Sequence, residues 1–203
     1  MEYSNVNHAR DEFLAIYREN IKREGSKELL NYIMSTDFFT APASSKFHNN
    51  FRGGLCEHSI NVYKRLKKLC EIEDEFYGKY SDETIAIIGL LHDLCKANFY
   101  TEDFRNVKED GVWVSKPYYK IEEAYPFGHG EKSVYLIMKY MLLTNEEALA
   151  INWHMGPYDD RVKGGSQVVS AAFHKCHLAF LTHIADSMAT YLDEDKDAYE
   201  NYL

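Results

Sequence analysis

SDETIAIIGLLHDLCK, residues 81–96, begins with a serine suited to capping a helix and ends, after an apolar run, on the pair His92 and Asp93. Ile85 and Ile88 lie seven and four residues before His92, so the three share one helix face, and that face points inward. A buried imidazole beside a buried carboxylate must be paired, hydrogen-bonded or bound to a cation, because an isolated charge in the core costs on the order of several kcal/mol. A metal ion would meet that demand. A His-Asp dipeptide alone is common, so its meaning depends on what else the chain turns inward.

His58, in GGLCEHSINVYKRL (53–66), stands three residues after Leu55 and four before Val62, again on the apolar face of a helix. Asp186 falls in LAFLTHIADSMATYL (178–192), an apolar stretch where a carboxylate needs a compensating charge. His129, in GHGEKS (128–133), precedes a helix, and His154, in INWHMG (151–156), ends one. Imidazole nitrogen and carboxylate oxygen without thiolate suit Zn, Mn, Fe, Co or Ni, with Mg less favoured. The order His58, His92-Asp93, His129, His154, Asp186 is enough for one ion, or for two sharing Asp93.

Apolar residues recur at helical spacing through most of the chain, so the expected fold is all-α, a helical bundle. Helices are expected at 81–95, 131–143, 144–154 and 166–192, the third opened by a Thr144/Glu147 capping box, with N-terminal helices over 10–37 packed on the rest. The exception is the aromatic- and valine-rich segment 99–127, which turns at Glu109-Asp110-Gly111 and reads as a small β-hairpin insertion around residues 103–121. The 203 residues make one well-buried domain and are short for two. A net charge of −9 argues against a sheath for nucleic-acid phosphates. No stretch approaches the apolar length of a membrane span, and the N-terminus lacks a signal-peptide layout, so the expected location is cytoplasmic. Cys56, Cys70, Cys95 and Cys176 form no CxxC pair and read as reduced core residues.

HNNFRGGLCEH (48–58) and GLLHDLCK (89–96), with the later Asp186, resemble the HD-domain metal-dependent phosphohydrolase superfamily over about residues 48–190. They are similar to its subgroup that includes bacterial exoribonucleases of the YhaM type. The resemblance implies that His58, His92, Asp93 and Asp186 hold one ion, while Asp93 bridges to a second held by His129 and His154. It also matches Lys96 to a lysine common after the His-Asp pair, placed to neutralise a phosphate oxygen. The implied activity is hydrolysis of a phosphomonoester or phosphodiester by a water that the metal activates.

Other residues are weaker candidates. His48, Arg52 and Arg161 flank the motifs and are expected to contact substrate. Gly53-Gly54 reads as a tight turn, or as backbone open to an anion. Tyr100, Phe104, Trp113, Tyr118 and Tyr119 could stack on a base, although most are expected to pack the hairpin onto the bundle. Lys64, Arg65, Lys67 and Lys68 read as a solvated face, as does the acidic end at Asp193, Glu194, Asp195 and Asp197. His183, one turn before Asp186, could orient a ligand.

The expected substrate is small and phosphorylated, a nucleotide or short oligonucleotide, because no basic track for a polymer is legible. Two alternatives share the ligand order: a di-iron oxygenase of the same fold, and a non-catalytic module that binds metal or nucleotide.

Overall fold

The computed structural model describes residues 2–194. Its elements run α1 (Glu2–Asn20), α2 (Ser26–Ser35), α3 (Gly54–Tyr77), α4 (Asp82–Leu91), β1 (Tyr100–Glu109), β2 (Val112–Ile121), α5 (His129–Met138), α6 (Asn145–Asn152), α7 (Asp160–Lys163), α8 (Val168–Lys175) and α9 (His177–Met188). Short 3-10 turns at Leu94–Lys96 and Gly156–Tyr158 follow α4 and α6, and a π turn, Ala189–Asp193, follows α9.

Beyond its polar first turn, helix α4 is apolar on every side and each residue from Ile85 to Leu91 is buried, so it lies at the centre of the bundle. It packs against α1, α3 and α6, while α9 packs against α3 and α6. Phe13, Tyr17, Leu29 and Ile33 of α1 and α2 belong to the same core as Leu55, Leu66, Ile151 and Leu181. A part-buried ion pair ties elements of the bundle together: Arg23 donates to both oxygens of the fully buried Glu147 carboxylate at 2.7 and 2.8 Å. Glu147 also closes the expected capping box with Thr144 and accepts from the Thr84 hydroxyl at 2.9 Å.

The helix following Ser81 stops at Leu91 rather than 95, because Asp93 leaves the helical region (φ −104°, ψ 21°). The segment 166–192 is not one helix: the extended conformation of Cys176 (φ −138°, ψ 93°) divides it into α8 and α9. No glycine or proline marks that break, which is why periodicity runs through it.

The hairpin begins at Tyr100, earlier than expected, in register Tyr100↔Ile121 to Glu109↔Val112. Asp110 and Gly111 both have positive φ (47° and 85°), as a two-residue turn matched to strand twist requires. The expectation that its aromatics pack it onto the bundle is corrected: Phe104 and Trp113 are 68 % and 69 % exposed, and both faces of the ribbon meet solvent over most of its length. Its base, at Tyr100, Tyr118 and Tyr119, is half-buried, as is Val107 nearer the turn. Among the described residues, no helix is long and apolar enough to cross a membrane.

Candidate metal centre

The apolar face of α3 carries His58 inward between Leu55 and Val62. Helix α4 can lie close against α3 because position 89 is glycine; a Cβ there would stand 2.5 Å from Tyr63 Cα. That approach brings His92, at the C-terminal end of α4, against His58, with their Nε2 atoms 3.3 Å apart. Asp93 Oδ2 lies 3.5 Å from His58 Nε2 and 3.6 Å from His92 Nε2. Asp186, on α9, completes this side with Oδ1 at 3.3 Å from His58 Nε2.

The other oxygen of Asp93 faces a second group. Helix α5 presses on the end of α6 at Gly130, where a Cβ would meet Asn152 O at 2.3 Å. His129, the first residue of α5, thereby places Nε2 at 2.7 Å from Asp93 Oδ1, and His154, just past α6, places its own at 3.4 Å. Asp93 is thus shared between the two histidine groups, one oxygen to each.

The ring orientations follow from what holds each Nδ1. In His92 and His154 the Nδ1–H donates to a backbone carbonyl, Gly89 O at 3.0 Å and Ile151 O at 2.7 Å. In His58 it donates to the Glu194 carboxylate at 3.0 Å, and in His129 it faces Cys95 Sγ at 3.4 Å. A carbonyl only accepts, so Nδ1 of His92 and His154 carries the proton, and Nε2 turns a lone pair inward. The His154 Nε2 is buried with no hydrogen-bond partner. An orphaned basic nitrogen aimed at a carboxylate is the vacant valence that a cation would fill. The donor atoms of His58, His92 and Asp186 lie within 4.8 Å of one another, as do those of His92, Asp93 and His154. Nitrogen and carboxylate donors so arranged fit a divalent metal.

Charge within the cluster is coupled. Burial pushes His92 down to about 3 and keeps it neutral. Burial also disfavours the charged form of His58, but Glu194 and Asp186 outweigh it and raise that imidazole to about 10. His129 likewise rises to about 10, against burial, through Cys95 and Asp93. Burial opposes ionisation of Asp93, yet Lys96, with Nζ at 2.7 Å from Oδ2, and the surrounding imidazoles hold it well below the carboxylate range. The carboxylates therefore draw positive charge inward, and a divalent ion would replace protons on His58 and His129.

Lys96 is buried and paired, not a solvent-facing lysine at a helix end. It lines a cavity of about 650 Å³ over the cluster together with Asp93, His129, Asp186, Lys46 and His48. Burial lowers His48 to about 4, and its Nε2 has no partner. Arg52 is exposed before α3 and does not line this cavity. Arg161 is fully engaged: it donates to Asp159 at 2.8 and 2.7 Å and to Glu131 at 2.6 Å, and lies 3.9 Å from the Trp153 ring centroid. The Gly53-Gly54 pair makes the turn into α3, with Gly53 at φ 89°. The His183 ring faces the His154 carbonyl, Nδ1 to O 2.8 Å, and so steadies the backbone of His154 rather than its ring.

Two groups were not legible as part of the site. Glu194, expected in a solvated acidic end, is buried against His58 and accepts from Asn61 at 3.0 Å. Asp193 pairs with Arg65 at 2.8 Å, so this much of the acidic end and of the basic face is an ion pair; Asp195 and Asp197 lie outside the described residues. Cys95 is a core cysteine, as expected, but its sulfur also touches a site histidine. Its place two residues after Asp93 was the one available signal.

The profile of the HD domain family matches residues 55–191, two-thirds of the chain and the span within which the six expected donors lie. The chain belongs to the HD domain family. A curated relative of this HD domain, the dihydroneopterin 2′,3′-cyclic phosphate phosphodiesterase of Methanocaldococcus jannaschii, is 39% identical over 74 residues. That alignment covers 36% of this chain and 28% of the relative, so the chain matches well under two-thirds of the relative's length. No solved structure matches the chain significantly.

Proposed function

We propose that this HD domain is a divalent-metal-dependent phosphohydrolase that cleaves a phosphoester in a nucleotide or short oligonucleotide. The observation that carries the reading is the division of Asp93, one oxygen toward His58 and His92 and the other toward His129 and His154, on the floor of an open cavity. The relative's activity on a cyclic phosphodiester supports the diester form of the reaction.

His58, His92, Asp93 and Asp186 would hold one ion, and Asp93, His129 and His154 a second. Such an ion, when bound, supplies Lewis acidity and activates a water at neutral pH. The protein's own groups do the rest. The fixed Nδ1 contacts aim the rings before any ion arrives, so little ordering is left to be done. Lys96, charged and buried beside Asp93, faces the cavity where negative charge on a phosphoryl group would grow. No side-chain nucleophile is required.

Metal content of the purified protein, measured with phosphate or nucleoside release from a panel of nucleotides, cyclic nucleotides and short RNA in added Mn, Mg, Co or Ni, tests this. Bound divalent metal with metal-dependent release is expected. Two irons with no hydrolysis of any substrate would overturn the reading and favour an oxygenase.

A further inference from the structure

Beside the cavity over Asp93 lies a second one of about 320 Å³, and the two share His129, Met155, Tyr158 and Lys163 as a common wall. Their linings differ in what they leave free. The larger is lined by the Asp93 and Asp186 carboxylates and by Lys96. The smaller is bounded by the rings of Phe99, Phe127 and Tyr158, and its charges are matched within the protein. Lys132 pairs with Glu123 at 2.7 Å, Arg161 with Asp159 at 2.7 Å, and Lys163 with Asp160 at 3.1 Å. An anion here would compete with the Glu123 and Asp159 carboxylates for Lys132 and Arg161, whereas the Lys163–Asp160 pair is exposed. A flat, uncharged group with a hydrogen-bonding edge meets no such penalty.

The Lys132–Glu123 pair specifies that edge. Lys132 is one turn along α5 from His129 and is only 5 % exposed; its ammonium lies 4.9 Å from the Phe99 ring centroid. Glu123 Oε1 already accepts from Lys132 and from the Tyr125 N–H at 2.8 Å, so a Lys132 donor and the Glu123 Oε2 acceptor stand side by side under an aromatic wall. We propose that the annex binds the ring of the phosphoester substrate, and that the ring is a guanine-type amino-oxo-pyrimidine. Its carbonyl accepts from Lys132, its adjacent ring N–H and amino groups converge on Glu123 Oε2, and its faces lie against Phe99 and Phe127. An adenine ring lacks the carbonyl and a uracil ring lacks the amino group, so each leaves part of the pair unmatched. The inference rests on the phosphohydrolase reading only for what is attached to the ring.

Nucleosides carry the ring without the phosphate and so separate the two ideas. Titration of guanosine, adenosine and uridine into the purified chain, followed by saturation-transfer NMR, is expected to show guanosine binding at least tenfold more tightly than the other two. Glu123→Gln should reduce that preference at least tenfold. Phe127→Ala, which alters a half-exposed ring and spares the fold, should weaken guanosine severalfold. Equal binding of the three nucleosides, or guanosine binding unchanged in both variants, overturns the proposal. Turnover of bis(4-nitrophenyl) phosphate by the wild type is measured in parallel. Turnover without guanosine preference overturns the annex alone; guanosine preference without turnover supports the ring site and counts against the hydrolase reading.

Discussion

The two sides of the Asp93 carboxylate are built from different kinds of structure. His58 and Asp186 stand within α3 and α9 and His92 just past the end of α4, and these helices pack directly on one another or on shared neighbours in the core. His129 and His154 sit at helix ends, and the His129 side chain is 29 % exposed where those of His58 and His92 are 1 % and 0 %. The outer support differs as well: a buried carboxylate, Glu194, behind His58, but only a thiol, Cys95, behind His129. The contrast teaches a division of labour. His58 and His92 are dry, while the cluster opens at Asp186, which lines the larger cavity, and at His129, which lines both.

The largest effect should come from the residue common to both sides. Asp93→Ala is expected to remove all bound metal by elemental analysis and to lower turnover by roughly a thousandfold, with the helical circular dichroism retained. Full metal-dependent turnover in that variant would end the assignment.

His129→Ala sharpens the comparison. It should leave one ion bound and lower turnover by about a hundredfold, whereas His58→Ala should cost both. Equal metal loss in the two variants would mean that the sides are not separable.

Glu194→Ala asks how much the outer support matters. Mn or Co affinity by titration calorimetry should fall by about 10- to 100-fold, and Glu194→Gln, which still accepts from Nδ1, should recover part of it. An unchanged affinity would reduce Glu194 to a packing residue.

The same support sets a pH dependence. His58 titrates near 10, above its ordinary 6.5, so its pairing with Glu194 and Asp186 stabilises the fold fully below about 6.5 and is lost as pH rises toward 10. An ion needs the neutral ring, so metal uptake at pH 7.5 should release protons, and apparent affinity should climb with pH. Calorimetry in two buffers of different ionisation enthalpy counts them, and no proton release would contradict the raised value.

The smallest effect is expected farthest from the cluster. Trp113→Ala, on the projecting hairpin, should change stability by no more than about 0.5 kcal/mol in thermal unfolding. A larger loss would show that the ribbon packs on something.

Much of the bundle was legible because its signals are local. Three- and four-residue spacing put His58 and His92 on apolar faces, the Thr144/Glu147 pattern marked the start of α6, and Asp110-Gly111 marked the turn of the hairpin. The break at Cys176 was not, since a helix interrupted without glycine or proline leaves the hydrophobic period intact. Nor was the hairpin's projection: aromatic and valine residues favour a strand whether or not anything covers them.

The sequence by itself determined the helical class, the hairpin and that His58 and His92 turn inward, because each depends on neighbours a few residues away. Only the tertiary structure decided that Asp93 gives one oxygen to each histidine group and that Glu194, 136 residues from His58, stands behind its ring. It alone placed the charge-matched annex beside the site. Such contacts follow from how closely α3 meets α4 and α5 meets α6, and that closeness is a property of packed surfaces rather than of any local pattern.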